Sequence, residues 1–356
     1  MGRADGRQPG TLVFRPNSRR AAGCGGSAYE QAGRGRVVIN RSGLVYVAGH
    51  RGLVGSAIWR HLEKQGFTRL IGVSSAELDL RDRAATEAFL ERHRPDVVID
   101  AAARVGGILA NDRHPAEFLS DNLRIQLNLM DAAHDVGVER LLFLGSSCIY
   151  PRLAEQPIAE SSLLTGPLEP TNDAYAIAKI AGIMQVQAHR RQYGARWISA
   201  MPTNLYGPGD NFHPERSHVL PALIRRFHEA VETGTEMVIL WGTGTVRREF
   251  LHVDDLAAAI LHLLDHYDQA ETINIGVGSD ITIRELAGLV AEVVGFTGDI
   301  RTDRSKPDGT PRKLLDVSRL TALGWTPRIS LRDGVADTYR WYLDHAEHVR
   351  GASPEE

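Results

Sequence analysis

The sequence is poor in cysteine, in long apolar runs and in net charge of either sign. Its 356 residues include only two cysteines, Cys24 and Cys148, too few for the disulfide framework of a secreted domain, and we expect a cytoplasmic location. The longest apolar stretches, such as 141–144, fall far short of the roughly 20 residues that span a bilayer, so we expect no membrane segment. A net charge of -3 gives no polyanion-binding surface, and we expect no nucleic-acid partner.

From residue 44 onward, apolar segments alternate with amphipathic ones. The expected strands read LVYVAG, LIGVSS, VVIDAAA, LLFLGS and RWISAMP, and the expected helices cover 53–65, 82–93, 115–136 and 174–192. This alternation is typical of parallel βαβ units. It predicts an α/β fold with a doubly wound parallel sheet, a Rossmann domain.

The pattern changes past residue 204. Residues 205–250 are rich in Gly, Pro, His and Arg with one helix at about 217–233, and short strands and helices return after them. We therefore predict a Rossmann domain over 43–204, to which later segments return, and a smaller α/β lobe over 205–350. Residues 1–42 carry eight arginines against Asp5 and Glu30 without periodicity. They are expected to form a disordered extension, either inert or functional.

A glycine-rich turn joins the first expected strand to the first helix. It consists of Gly49, His50, Arg51, Gly52, Leu53, Val54 and Gly55. In such a turn one glycine permits the tight bend, one lets the backbone approach a pyrophosphate, and one allows close helix–strand packing. Its position in a βαβ series predicts a dinucleotide site.

The end of the second expected strand favours NADP(H) over NAD(H). NAD sites usually place a carboxylate there to accept from the ribose 2′-hydroxyl, whereas this strand ends in Val73, Ser74 and Ser75. Arg51 supplies a cation suited to a 2′-phosphate. Two alternatives stay open: Arg51 is only a solvated loop residue, or the nearby Glu77 favours NAD.

A candidate catalytic set follows in the expected order. Ser146 lies just past the strand LLFLG, and Tyr175 and Lys179 share a helix face at spacing i, i+4. A lysine ammonium beside a phenol is expected to lower the phenol's pKa, so that Tyr175 protonates a carbonyl oxygen as hydride reaches its carbon. Ser146 would position that carbonyl, although the adjacent Ser147 competes for the role and one of the two serines can cap the backbone. These residues predict carbonyl–alcohol redox chemistry.

The motifs GHRGLVG, AAA, GSS and YAIAK resemble those of the extended short-chain dehydrogenases/reductases. Longer stretches, including AAARVGGILAN, LLFLGSSCIYP, LEPTNDAYAIAKIAGI and SKPDGTPRKLLDVSRL, look like the GDP-L-fucose synthase family, and the resemblance covers about 44–345. It implies epimerisation of GDP-4-keto-6-deoxy-D-mannose at C3 and C5 and reduction at C4 by NADPH. It also implies that Cys148 and His218 are the epimerisation acid and base, in an order left open.

The resemblance implies further contacts. Cofactor contacts match the glycine turn and Leu144, Gly145, Ser146, Ser147, Lys179, Pro202, Thr203, Asn204, Leu205 and His218. GDP-sugar contacts match Arg226, Trp241, Arg248 and Asp308. The helices 115–136 and 174–192 resemble those through which the family forms homodimers. The 42-residue leader, and the absence of arginines at 73–75, depart from the family pattern.

Three alternatives remain at this point. His252, Asp254 and Asp255 suggest a metal ligand set, but they open a helix, so acidic N-capping is the interpretation and no metal is predicted. A nucleotide-sugar 4-epimerase or dehydratase shares the fold but does not require Cys148 and His218. A non-catalytic dinucleotide sensor is disfavoured because Ser146, Tyr175 and Lys179 are all present.

Overall fold

The computed structural model describes residues 38–214, 216–306 and 308–351. Its strands, in chain order, are β1 (Val45–Ala48), β2 (Leu70–Ile71), β3 (Val97–Asp100), β4 (Arg140–Leu144), β5 (Ile198–Pro202), β6 (Asn204–Tyr206), β7 (Met237–Trp241), β8 (Arg247–Arg248), β9 (Phe250–His252), β10 (Ile273–Ile275), β11 (Ile281–Thr282), β12 (Asp299–Asp303) and β13 (Arg312–Lys313). Its helices are α1 (Leu53–Lys64), α2 (Arg83–His93), α3 (Ile108–Arg113), α4 (Pro115–Asp135), α5 (Asp173–Tyr193), α6 (Val219–Thr233), α7 (Val253–His266), α8 (Ile283–Val294), α9 (Ser318–Ala322) and α10 (Leu331–Gly351).

Six strands form a parallel sheet in the order β10-β5-β4-β3-β1-β2. Helices α1 and α7 cover one face, where Val45, Val47 and Ile99 enter the core, and α2, α4 and α5 cover the other face. The predicted α/β doubly wound sheet is confirmed. All six strands are parallel, but the order in which the chain adds them changes direction between β1 and β3. Ligands in such sheets bind at the carboxyl ends of the strands beside that switch point.

Smaller sheets and a third core lie beyond residue 204. Strand β6 pairs with β9, β7 pairs with β12, and β8 lies between β11 and β13. A separate apolar core joins α6, α8 and α10, whereas β10 and α7, although late in the chain, belong to the main sheet and its packing. None of the described helices is both long and apolar enough to cross a membrane.

Most of the predicted elements occur within two residues of their expected bounds, but β2 does not. The expected strand LIGVSS is only Leu70–Ile71, and residues 72–77 continue as a loop and turn. Gly72 lies directly against His50, since an added Cβ would come 2.4 Å from the ring atom Cγ of His50. Ser74 and Ser75 therefore lie in this loop and turn and not in a strand.

Residues 38–42, which we assigned to the N-terminal extension, pack against the folded body. Ile39 is buried, and its N–H donates to the Asp265 carboxylate on α7 at 2.9 Å. Arg41 pairs with the same carboxylate at 2.8 Å and lies over the Phe67 ring. The rest of the predicted extension, 1–37, lies outside the described residues.

Candidate active site

The glycine turn lies at the carboxyl end of β1, beside the switch point. Gly49 has φ +76°, and a Cβ there would meet the Ala101 carbonyl oxygen at 2.8 Å; a Cβ on Gly55 would come 2.1 Å from the Gly49 carbonyl oxygen. Both glycines are required by the fold itself. Gly52 is different, because an added Cβ would meet nothing closer than 3.5 Å. Its open side fits the close approach of a pyrophosphate to the start of α1, so the turn fits a dinucleotide.

The positions around the turn differ in exposure. His50 is half-buried beside Trp59, with 5.5 Å between the ring centres, and Arg51 is exposed. Leu53 and Val54, at the start of α1, pack against the main core. The basic residue of the turn, Arg51, therefore faces solvent, while the end of the turn packs into the fold.

The end of β4 and the helix α5 bring the catalytic candidates together. Leu144 ends β4, Gly145 follows it, and Ser146 precedes a short 3-10 turn over Ser147–Ile149. Lys179 is almost completely buried; its ammonium donates to the Leu144 carbonyl at 2.8 Å and lies over the Phe143 ring. Four candidates, Ser146, Cys148, Tyr175 and Lys179, therefore lie close together at the carboxyl end of β4.

The two serines have different environments. Ser146 is half-buried and its hydroxyl oxygen accepts the N–H of Cys148 at 3.4 Å, whereas Ser147 is buried. Ser146 does cap the short turn, as one of the two serines was expected to do. Its O–H remains a donor, and its exposure makes it the serine that is accessible from the cleft.

The ionisation of Tyr175 differs from the sequence-based expectation. Burial, and then the neighbouring Cys148, raise the pKa of Tyr175 above its usual value. The expected lowering by Lys179 is therefore wrong for this arrangement. The Lys179 ammonium lies over the Tyr175 ring, 5.9 Å from its centre, and desolvation by burial raises the pKa of Tyr175 and lowers that of Lys179.

Cys148 is buried among groups that act on its ionisation. Burial raises the pKa of the thiol, and the positive charge of Lys313, the Ser146 hydroxyl and the positive charge of Lys179 oppose that rise. His218 is the N-cap residue of α6 and its side chain makes no capping bond. Desolvation of the imidazole lowers the pKa of His218, although the residue as a whole is exposed. Both groups are therefore neutral in their resting forms near pH 7.

The segment after β5 is fixed by backbone contacts. Pro202 ends β5, the Thr203 N–H donates to the Ile275 carbonyl at 2.9 Å, and the Asn204 amide donates to the Glu249 carbonyl at 2.8 Å. Leu205 packs against the main core. The bond to Glu249 sets the orientation of the Asn204 side-chain amide.

The four predicted GDP-sugar contacts lie beyond residue 204, on or beside the elements α6, β7 and β8. Arg226 on α6 donates to the Ile239 carbonyl at 2.9 Å, Trp241 at the end of β7 is 58% exposed, and Arg248 on β8 donates to the Arg247 carbonyl. Burial lowers the pKa of both arginines. Asp308 accepts the N–H of Thr243 at 2.7 Å and its hydroxyl at 2.9 Å, which attaches the loop containing Asp308 to the end of β7.

Two residues that sequence reasoning missed lie beside this set. Lys313 on β13 is a half-buried cation that interacts electrostatically with Cys148 and Arg248. Glu169 pairs with Arg152 at 3.3 Å and accepts from the Thr310 hydroxyl at 2.9 Å. Lys313 and Glu169 both lie in segments that carry the family resemblance. Neither residue has a sequence spacing from Cys148 that would have indicated a contact.

The possible metal residues have structural roles. The imidazole of His252 caps α7 by accepting the Asp254 N–H, Asp254 pairs with Arg60, and Asp255 accepts the N–H groups of Arg328 and Ile329. The cap is thus a histidine and not the expected aspartate. Across the described residues, no group of three or more His, Cys, Asp or Glu could hold a metal ion.

Comparison with known proteins agrees with this geometry. Residues 45–276 match the model of the NAD dependent epimerase/dehydratase family. GDP-L-fucose synthase 1 of Arabidopsis thaliana is 62% identical over 304 residues, covering 85% of this chain and 94% of the relative. The chain belongs to the GDP-L-fucose synthase family.

Two further members show how far the likeness extends. GDP-L-fucose synthase of Escherichia coli K12 is 55% identical over 316 residues, which cover 86% of this chain and 98% of that protein. The crystal structure of a GDP-L-fucose synthetase from Naegleria fowleri bound to NADP has a TM-score of 0.82 at 28% identity, covering 88% of this chain and 98% of that one. These members of the family thus match this chain over nearly their full length.

Proposed function

We propose that the chain converts GDP-4-keto-6-deoxy-D-mannose into GDP-L-fucose, by epimerisation at C3 and C5 and then reduction of the C4 ketone with NADPH. The observation that carries this proposal is the environment of Cys148, whose N–H donates to the Ser146 hydroxyl and whose thiol interacts electrostatically with Tyr175 and Lys313. A reductase alone has no need of a buried thiol at that point. A thiol that reaches the same sugar as Tyr175 allows both reactions in one pocket.

The reductive step uses residues of β4 and α5. NADPH, when bound at the glycine turn, supplies hydride to C4. Tyr175 holds the proton that the C4 oxygen takes up, and its raised pKa keeps the phenol protonated before the step. Ser146 donates a hydrogen bond to the same oxygen. Lys179, fixed by Leu144, provides positive charge beside Tyr175 while negative charge develops on that oxygen.

The epimerisation uses Cys148 and His218. Protons at C3 and C5 are acidified by the adjacent ketone, so each inversion needs a base on one side of the sugar and an acid on the other. Lys313 stabilises the thiolate of Cys148, and the neutral imidazole of His218 can accept or return a proton. The pair therefore supplies both functions without a metal.

The main sheet and the segments beyond residue 204 would bind different ligands. The glycine turn, the end of β4 and residues 202–205 follow the carboxyl ends of strands in the main sheet. They would hold NADP(H), almost entirely within the predicted Rossmann domain, 43–204. Arg226 and Arg248 would bind the diphosphate of the GDP-sugar, and the exposed ring of Trp241 offers a surface for stacking. Asp308 would keep this part of the lobe, mainly 205–350, in position through Thr243.

The partner and the location extend the proposal. Helices α4 and α5 present the exposed apolar side chains Leu127, Ile177 and Met184, and we propose that this face joins two copies of the chain in a homodimer. The cytoplasmic location expected from the low cysteine content, and the expected absence of a nucleic-acid partner, belong to the same proposal.

The test is a product analysis with purified protein. GDP-4-keto-6-deoxy-D-mannose is incubated with the protein and either NADPH or NADH, and the released sugar is identified after hydrolysis. We expect L-fucose in an amount equal to the nucleotide oxidised. Formation of a 6-deoxy sugar that keeps the D-configuration would leave a reductase without epimerase activity and would refute the bifunctional proposal.

A further inference from the structure

The Glu77 carboxylate forms hydrogen bonds with Ser74 just past the end of β2. One carboxylate oxygen of Glu77 accepts the backbone N–H of Ser74 at 2.9 Å and the Ser74 hydroxyl at 2.6 Å. These two bonds, and then the charges of Arg51 and His50, hold the pKa of Glu77 below its usual value. Glu77 is therefore a carboxylate at neutral pH, in an exposed turn, with both donors of Ser74 directed at it.

The location of this contact matters for dinucleotide recognition. In Rossmann domains the end of the second strand meets the adenosine ribose, where a carboxylate suits a free 2′-hydroxyl and a cation suits a 2′-phosphate. Here Gly72 lets His50 approach the end of β2, so the glycine turn and the Ser74 turn abut. Arg51, His50 and Glu77 consequently form one small group with charges of both signs.

A 2′-phosphate and Glu77 would compete for the same partners. A phosphate needs hydrogen-bond donors and positive charge, and the carboxylate already occupies the N–H and O–H of Ser74 and partly neutralises Arg51. A free 2′-hydroxyl, in contrast, would donate to that carboxylate. The same side chain thus weakens binding of one cofactor and supports binding of the other.

We propose that Glu77 is a specificity-determining residue, whose carboxylate at the Ser74 turn reduces the discrimination between NADP(H) and NAD(H). This inference rests on the proposed cofactor site. Arg51 still attracts the 2′-phosphate, so both cofactors bind, and the preference between them depends on the charge of Glu77.

The experiment measures direct binding to the full chain without substrate. NADP⁺ and NAD⁺ are titrated by calorimetry into the wild type, Glu77→Gln and Glu77→Lys, and 2′,5′-ADP and 5′-AMP serve as probes of the adenosine end alone. We expect Glu77→Gln to raise the ratio of the NAD⁺ Kd to the NADP⁺ Kd about tenfold, the size of effect of one neighbouring surface charge. Glu77→Lys should raise the ratio further, and added salt should shrink both changes.

Glu91→Gln is the matched control, since it removes one carboxylate from the exposed side of the nearby helix α2 and makes no contact with Ser74. Its ratio should equal that of the wild type. An unchanged ratio in both Glu77 variants, or an equal change in Glu91→Gln, would overturn the role of Glu77 while leaving cofactor binding intact. If neither dinucleotide binds the wild type, the proposed cofactor site fails as well.

Discussion

The ammonium nitrogen of Lys179 lies 5.9 Å from the centre of the Tyr175 ring and donates its hydrogen bond to the carbonyl oxygen of Leu144. The spacing of the two residues on α5 puts them on one face, as expected, but the lysine does not lower the pKa of the phenol. Because burial dominates, Tyr175 remains protonated until a proton is needed. The pair therefore consists of a neutral acid and a fixed cation.

Tyr175→Phe should abolish NADPH oxidation with the ketosugar, because it removes the proton donor and little else. The loss should be at least about a hundredfold, the usual size of a general-acid contribution. Calorimetric titration with NADP⁺ should give a Kd within about twofold of wild type, since the ring stays in place. Turnover at the wild-type rate would exclude Tyr175 as the acid.

The sequence predicts the main sheet well because its signals are local. Alternation of buried strands and amphipathic helices, and the glycine turn between β1 and α1, follow from neighbouring residues alone. β2 is shorter than expected because Gly72 packs against His50, a contact between separate segments. Lys313 was missed for the same reason. Only the tertiary fold brings Lys313 near Cys148, and no sequence motif links the two residues.

Asp100→Asn should stabilise the fold at pH 8 and hardly at pH 4. Asp100 ends β3 with no exposed surface, and burial raises its pKa from 3.8 to about 6, with Lys179 opposing the rise. A raised carboxyl pKa means that the folded state binds the proton more tightly, so stability falls as pH rises from about 4 to 6. Urea unfolding should show a gain of about 2 kcal/mol at pH 8.

Asp100→Asn should lower the reaction rate at alkaline pH, although it stabilises the fold there. Asp100 faces the Phe143 backbone across β3 and β4, and the Lys179 ammonium lies over the Phe143 ring. Burial lowers the pKa of Lys179, and the charges of Asp100 and Cys148 oppose that effect. Without Asp100, the alkaline limb of the rate profile should move to lower pH. Asp135→Asn, on the exposed side of α4, is the control and should change neither measurement.

Two glycines of the turn should separate folding from cofactor binding. Gly55→Ala puts a Cβ 2.1 Å from the Gly49 carbonyl oxygen, and thermal unfolding should show a loss of roughly 3 kcal/mol. Gly52→Ala meets no atom closer than 3.5 Å, so its Tm should stay near wild type. Its affinity for NADP⁺ should nevertheless fall at least tenfold, because the Cβ enters the space for the pyrophosphate. Equal NADP⁺ affinity in Gly52→Ala and wild type would refute that use of the turn.

Cys148→Ser and His218→Asn should each prevent formation of GDP-L-fucose. Cys148→Ser should also leave NADP⁺ binding unchanged, because Cys148 is not among the predicted cofactor contacts. In deuterated water, the variant that lacks the base should lose deuterium uptake at C3 and C5. The variant that lacks the acid should take up deuterium without inversion. NMR of the recovered sugar distinguishes these results and assigns the two roles; normal uptake with normal inversion in either variant would remove that residue from the epimerisation.

The apolar face of α4 and α5 should hold two copies of the chain together. Leu127 is 42% and Met184 40% exposed, an arrangement that costs free energy unless the face is covered. Sedimentation at micromolar concentration should give a dimer for the wild type and a monomer for Leu127→Glu combined with Met184→Lys. Leu343→Glu, on α10, changes a side chain that is similarly exposed at 47% but lies away from this face, and it should remain dimeric. A monomeric wild type would contradict the dimer, and a dimeric double variant would place the interface elsewhere.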